Sequence, residues 1–175
     1  EAVNGTFETF PTLHASNDDT FTDESVDGNQ NATMVTESGT AAHVNGGSKS
    51  GKVTLNDTSG YITYNKTDYV VGRNYRALVA MRAGDSQSIT AFQVFAAESI
   101  RGEDGTDGTA ITPSTSFQAI GVDFVATATT MFINMKFTGT SGHFSFIDNF
   151  SIKEFGVASG WTDADQQLHI PQTAL

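Results

Sequence analysis

Asp148 is the residue whose chemistry most constrains this sequence. It stands in the run Phe144-Ser145-Phe146-Ile147-Asp148-Asn149-Phe150-Ser151-Ile152, where alternation sets it on one face with Phe144, Phe146, Phe150 and Ile152. That face reads as the core face, and an unpaired carboxylate there is strongly disfavoured by desolvation. No Lys or Arg shares the register, so a bound cation is the economical partner. A hard ion such as Ca²⁺ accepts roughly six to eight oxygens from carboxylates and backbone carbonyls. The competing reading has Asp148 at the strand's edge, capping a turn.

Other candidate chemistry is weaker. Gly46-Gly47-Ser48-Lys49-Ser50-Gly51-Lys52 fits the start of a phosphate-binding loop, but Val53 stands where the magnesium-binding hydroxyl belongs. The residues after it alternate like a strand instead of opening a helix whose N-terminus could hold an anion. Ser, His and Asp are all present, yet there is no Gly-x-Ser-x-Gly elbow and His14, His43, His143 and His169 are scattered. Glu98 and Glu103 could pair as acid and base of a glycosidase, although nothing in the sequence sets them across a cleft. The chain has no cysteine, so thiolate chemistry and Cys-based metal sites are excluded. The expectation is a protein without catalytic residues of its own.

Nine Lys+Arg against twenty Asp+Glu give a formal charge of −11. A field of that sign repels nucleic-acid phosphates and anionic lipid, so neither is an expected partner. No apolar run approaches the roughly 18 residues needed to cross a bilayer. Glu1-Ala2-Val3 lacks the basic and apolar regions of a signal peptide, and a start at Glu1 points to a processed protein or a piece of a longer one.

The elements that must position these residues are strands. Thirteen Phe, seventeen Gly, three Pro and many Thr, Ser and Val favour short strands broken by turns, and no stretch holds a helical period. Met131 to Phe137 is the clearest strand, with Met131, Ile133, Met135 and Phe137 on one face. After Gly139-Thr140-Ser141-Gly142 the Asp148 strand follows, and the two read as a hairpin. Alternation also marks Val3 to Phe7, Lys52 to Asn56, Tyr61 to Tyr64, Tyr75 to Arg82, Ile89 to Phe95 and Phe117 to Val125, and more weakly Met34 to Glu37 and Ala41 to Val44. Strands at this spacing predict an all-β jelly-roll β-sandwich of two antiparallel sheets. His14 to Asn31 and Arg101 to Thr112 are long acidic loops that bind something or merely connect. Of the five Asn-x-Ser/Thr sequons, at Asn4, Asn31, Asn56, Asn65 and Asn149, the last falls inside a strand, where a glycan would compete with sheet packing.

Three segments, Asn4-Gly5-Thr6-Phe7-Glu8, Ser50-Gly51-Lys52-Val53-Thr54-Leu55 and Phe144 to Ile152, resemble in order those of the carbohydrate-binding modules of families 4 and 9 (CBM4/9). Val71-Gly72-Arg73-Asn74-Tyr75-Arg76-Ala77-Leu78 fits the same pattern, and together they span most of residues 3–153. The resemblance implies a calcium-stapled jelly roll over residues 1–155, and the Gln- and Asp-containing stretch after the final strand reads as a linker or docking arm over 156–175. It also implies structural Ca²⁺ held by the side chains of Glu8 and Asp148 and the carbonyls of Thr6, Lys49 and Lys52. Those modules carry a Trp soon after the first Phe-Glu, whereas the one Trp here is Trp161.

For a glycan, the outward register of the central strands offers Arg76, Arg82, Gln93, Asn134 and Lys136, with Tyr64 as the nearest stacking ring. Any solvated sheet face would show similar residues. Gly160-Trp161-Thr162-Asp163-Ala164-Asp165-Gln166-Gln167 and Ile170-Pro171-Gln172-Thr173 are similar to a connecting segment of predicted marine phage structural proteins. The expectation is a non-catalytic module on a virion or other extracellular assembly, contacting glycans or neighbouring protein subunits, with a homo-oligomer compatible. The alternative is a carbohydrate-binding accessory module of a secreted polysaccharide-degrading enzyme.

Overall fold

Alternating β-branched and aromatic residues become ten strands in the computed structural model, which describes residues 12–15, 30–38, 40–45 and 49–156. They are β1 (Thr12–Ala15), β2 (Ala32–Ser38), β3 (Lys49–Leu55), β4 (Ser59–Lys66), β5 (Asn74–Ala83), β6 (Ala91–Ala97), β7 (Thr106–Asp107), β8 (Gln118–Val125), β9 (Met131–Thr138) and β10 (Phe144–Phe155). The first sheet runs β2-β3-β10-β5-β8, with β1 added to β10, and the second runs β4-β9-β6-β7. Every pairing within them is antiparallel. The β-sandwich of two antiparallel sheets is therefore as the sequence predicts, and no described helix is long and apolar enough to cross a membrane. The expected strand at Val3 to Phe7 and the arm over 157–175 lie outside the described residues.

The core lies between the sheets. Val53, Tyr75, Ala77, Val79, Met81 and Val122 meet Ile62, Phe92, Val94, Ile133, Met135 and Phe137 across it. Fully burying each Ile, Phe or Met here contributes about 1.5–3 kcal/mol from removed apolar surface. Met131, Ile133, Met135 and Phe137 all point inward, as their spacing predicts.

Three expectations are corrected. Ala41 to Val44 is not a strand, because Ala41–His43 forms one 3-10 turn. The predicted β9–β10 hairpin does not form. β9 pairs with β4 and β6 in the second sheet, whereas β10 pairs with β3, β5 and β1 in the first. Both strands carry an apolar face, and stacking those faces across the core buries more than pairing the strands edge to edge would. The third correction concerns β10's faces. The register slips between Asp148 and Ser151, and Asn149 takes the left-handed φ of 51°. This bulge inverts the alternation. Ile147, Phe150 and Ile152 join the core, while Phe144, Phe146 and Asp148 lie on the outer side of the first sheet.

Candidate functional site

The outer face of the second sheet is built by alternate residues of β4, β6 and β9. Gln93 of β6 and Tyr61 of β4 flank Lys136 of β9 in register. Two β9 positions away, Asn134 sits between Thr63 and Phe95. The segment that follows β6 folds back over half of this face, and Asn134 is its anchor. Asn134 is fully buried; its Oδ1 accepts from Thr63 Oγ1 at 2.8 Å and from the Arg101 N–H at 2.8 Å. Its Nδ2 donates to the Ser99 carbonyl at 3.2 Å and the Gly102 carbonyl at 3.1 Å. Every hydrogen-bonding position of the amide is engaged, which is what burial of so polar a group requires. Asn134 is thus a loop anchor, out of reach of a ligand.

Beside this anchor the segment and the sheet together form a compact polar group. Lys136 Nζ donates to Glu103 Oε1 and Oε2 at 2.8 and 3.0 Å and lies 5.8 Å from the centre of the Tyr61 ring. The Tyr61 hydroxyl donates to the same Glu103 carboxylate. The hydrogen bond from Lys136, followed by that from Tyr61, holds Glu103 below its ordinary value. Glu103 in turn raises Lys136. Burial, then the bond to Glu103, raises Tyr61. The group is therefore a fixed ammonium–carboxylate pair beside an aromatic ring. Gln93 Nε2 donates to the Gly108 carbonyl at 2.9 Å, tying a second point of the overlying segment.

The predicted glycan set is split by the sandwich. Gln93, Asn134 and Lys136 lie on this face, whereas Arg76 and Arg82 lie on the outer face of the first sheet. Arg76 makes a two-pronged pair with Asp123, both contacts 2.5 Å, and lies 5.1 Å from the Phe155 ring. Arg82, 4% exposed, donates through Nε to the Thr115 carbonyl at 2.9 Å and through one terminal nitrogen to Asp85 at 2.7 Å. Tyr64 belongs to neither outer face. It shares a side with Ile62 and Ile133, packs against the core and meets Phe150 edge-on at 5.0 Å. Tyr61, three residues earlier and so of opposite parity, is the ring on the polar face. Sequence reasoning missed Tyr61 and the role of Glu103; the opposite parity of Ile62 within β4 was the available signal for Tyr61.

His43 is held over the first sheet. Its ring stacks on Phe146 at 4.0 Å and contacts Glu37 Oε1 at 3.2 Å and Asp85 Oδ2 at 2.6 Å. Its partners are carboxylates, with no serine hydroxyl among them, so no hydrolytic dyad is formed. Glu103 is tied to Lys136, whereas Glu98 lines a cleft with Asp104 and Thr106. β3 begins at Lys49, and no helix follows the Gly46 to Lys52 motif.

Asp148 is 3% exposed, at the point where β10 exchanges one neighbour for another. Residues Phe144 to Ile147 pair with β3, and Ser151 to Lys153 pair with β1. In the gap, Asp148 Oδ2 accepts the Asn45 N–H at 2.6 Å and Oδ1 accepts the Asn149 N–H at 2.7 Å. Asn149 Nδ2 donates to the Asn45 carbonyl at 2.7 Å. Burial nevertheless outweighs these bonds and raises the carboxyl above its ordinary value. One further step of the β3 register sets Ser50 opposite Asp148, and the buried Ser50 hydroxyl has no hydrogen-bond partner among the described residues. Of the carbonyl donors implied by resemblance, that of Lys52 belongs to a residue registered with both Val35 and Phe146, whereas Lys49 is paired with Ser38 alone. Thr6 and Glu8 lie outside the described residues. Among the described residues no group of three His, Asp or Glu side chains is arranged to hold a metal ion.

No family model matches the sequence, and neither does any curated protein. Solved structures do match its fold. The CBM22-1 xylan-binding domain of Paenibacillus barcinonensis Xyn10C superposes with a TM-score of 0.63 at 10% identity, over 86% of this chain and 98% of that one. The CBM22-1–GH10 modules of Clostridium thermocellum xylanase 10B, complexed with xylohexaose, give 0.53 at 16% identity, over 87% of this chain and 30% of that one. TmCBM61 in complex with β-1,4-galactotriose gives 0.54 at 11% identity, over 75% and 92%. The fold is that of β-sandwich carbohydrate-binding modules.

Proposed function

We propose that this chain is a non-catalytic, extracellular glycan-binding module. The observation that carries the reading is the outer face of the second sheet, where Glu103 and Lys136 form a fixed polar pair against the Tyr61 ring. Glu103 offers acceptor oxygens, Lys136 donors and Tyr61 an apolar plate for a sugar's C–H face, the combination by which sites orient hydroxylated ligands. The fold likeness supports it, since the similar structures include a xylan-binding domain and a module bound to β-1,4-galactotriose. The setting we favour is an accessory module of a secreted polysaccharide-degrading enzyme, because one similar module is joined to a xylanase. A virion setting rests on Gly160 to Thr173, which lie outside the described residues.

We further propose a structural Ca²⁺ at Asp148. Among the described residues the fit rests on a buried carboxylate without a cationic neighbour and a buried Ser50 hydroxyl without a partner, both oxygen donors suited to a hard cation. Asp148 would hold the ion with Glu8, and carbonyls of Thr6, Lys49 and Lys52 would complete the shell. When bound, the ion supplies charge compensation and ties the start of the chain to β10.

The test is a glycan array probed with the purified chain, followed by titration of each hit against Tyr61→Ala and Lys136→Ala. Binding that falls about tenfold or more in both variants is expected. An array without hits would sink the reading.

A further inference from the structure

The two sheets are pinched together along one edge and open at its end. Gly108 of the segment after β7 donates its N–H to Val94 at 2.8 Å. A Cβ placed on Gly108 would lie 2.6 Å from the Gly121 carbonyl of β8, so only glycine permits this approach. The 2-residue β7 then stops while β8 and its continuation run on. Between them opens a cleft of about 400 Å³. Its floor is Ala96, Ala97 and Met131, with Val125 on one wall; Glu98, Asp104, Thr106 and Thr127 ring the mouth.

We propose that this cleft is a second saccharide site, separate from the Tyr61 face and taking about one or two units of an uncharged sugar chain. The inference rests on the glycan-binding reading above and adds a place and a ligand class to it. The Arg101 to Gly105 stretch, fixed by Asn134, stands between the two sites. The lining decides the ligand. Two carboxylates and no Lys or Arg exclude phosphorylated, sulfated or uronic sugars. A methyl-rich floor is unsuited to a hydrated metal ion but packs against the C–H face of a pyranose. Carboxylate and hydroxyl groups at the mouth accept hydrogen bonds from sugar hydroxyls, the charge-assisted kind that fixes orientation.

Calorimetric titration of the whole chain with xylohexaose and with β-1,4-galactotriose tests this. The parent is expected to bind at two sites. Thr127→Trp, a substitution at an exposed position that fills the cleft, should remove one of them, and Tyr61→Ala the other. If Thr127→Trp leaves stoichiometry and affinity unchanged while Tyr61→Ala abolishes binding, the cleft proposal is overturned and the glycan reading survives. If the parent binds neither sugar, the cleft proposal falls, and the glycan reading is decided by the array. Should Thr127→Trp fail to fold, the shape-conserving pair Glu98→Gln with Asp104→Asn decides: about threefold weaker binding at one site upholds the proposal, and unaltered binding overturns it.

Discussion

Asn45 and Asp148, 103 residues apart, are joined by one short hydrogen bond from backbone N–H to carboxylate at 2.6 Å. This bond closes the gap that β10 leaves when it parts from β3 and has not yet met β1. The carboxylate is buried, so its charge state bears directly on stability.

Without a cation, the folded Asp148 carboxyl titrates above its unfolded counterpart at 3.8, so the folded state binds the proton more readily. Stability from this group therefore falls as pH rises through the folded value, and is regained on acidification toward the unfolded one. Bound Ca²⁺ would reverse the sign by favouring the charged form. Melting curves of the parent and Asp148→Asn, in EDTA and in millimolar Ca²⁺, should show a Ca²⁺-dependent midpoint in the parent alone. Equal midpoints in the two media would remove the metal site.

Glu103 gives the opposite dependence. Lys136 first, and Tyr61 second, hold it below the usual 4.5, so its contribution is present above the unfolded value and lost as pH falls through the folded one. A carbon-detected NMR titration should find the Glu103 carboxyl depressed in the parent and moved back upward in Lys136→Met. An ordinary Glu103 titration in the parent would show the pair to be open in solution.

Replacing Asn134 by Leu should destabilise the fold by about 2–4 kcal/mol, because Thr63, the Arg101 N–H and the carbonyls of Ser99 and Gly102 all lose their partner. The same change should free the segment it anchors. Trypsin cleavage after Arg101 ought to accelerate well beyond the loss of global stability, and a cleavage rate matching the parent's would mean that other contacts hold the segment.

Two arginines of β5 on one face should behave differently. Arg76 is largely exposed, so Arg76→Ala is expected to change unfolding free energy by less than about 1 kcal/mol despite its two-pronged pair. Arg82 is buried, lies 5.4 Å from the Phe146 ring and bonds to both Thr115 and Asp85, so Arg82→Ala should cost about 2–4 kcal/mol. Chemical denaturation of the two variants measures the contrast; similar losses would refute it.

Strand positions were legible in the sequence because alternation reports which residues share a face. Partners were not. β9 and β10 show the limit, since period 2 is satisfied equally by a hairpin and by two strands stacked across a core. Parity was lost at Asp148, where the bulge at Asn149 shifts the count by one and moves Phe144 and Phe146 outward. The glycan set was divided for a related reason: Arg82 and Lys136 both face outward, but on sheets with opposite outward directions. Short elements such as β7 carry too few residues for any period to be seen.

The placement of β10 has a consequence for synthesis. It is the last described strand to leave the ribosome, yet it lies between β3 and β5 in the middle of its sheet. Until it emerges, those two strands each present an unsatisfied edge, and the inner apolar surface of the second sheet has no finished lid. The nascent chain must therefore wait, exposed to strand-adding neighbours, for a segment whose own pairing spans nearly the whole preceding length. Folding of this domain is expected to be all-or-none and to await the emergence of β10, with the ribosome-bound chain up to Gly142 a substrate for chaperones instead of a half-built sandwich.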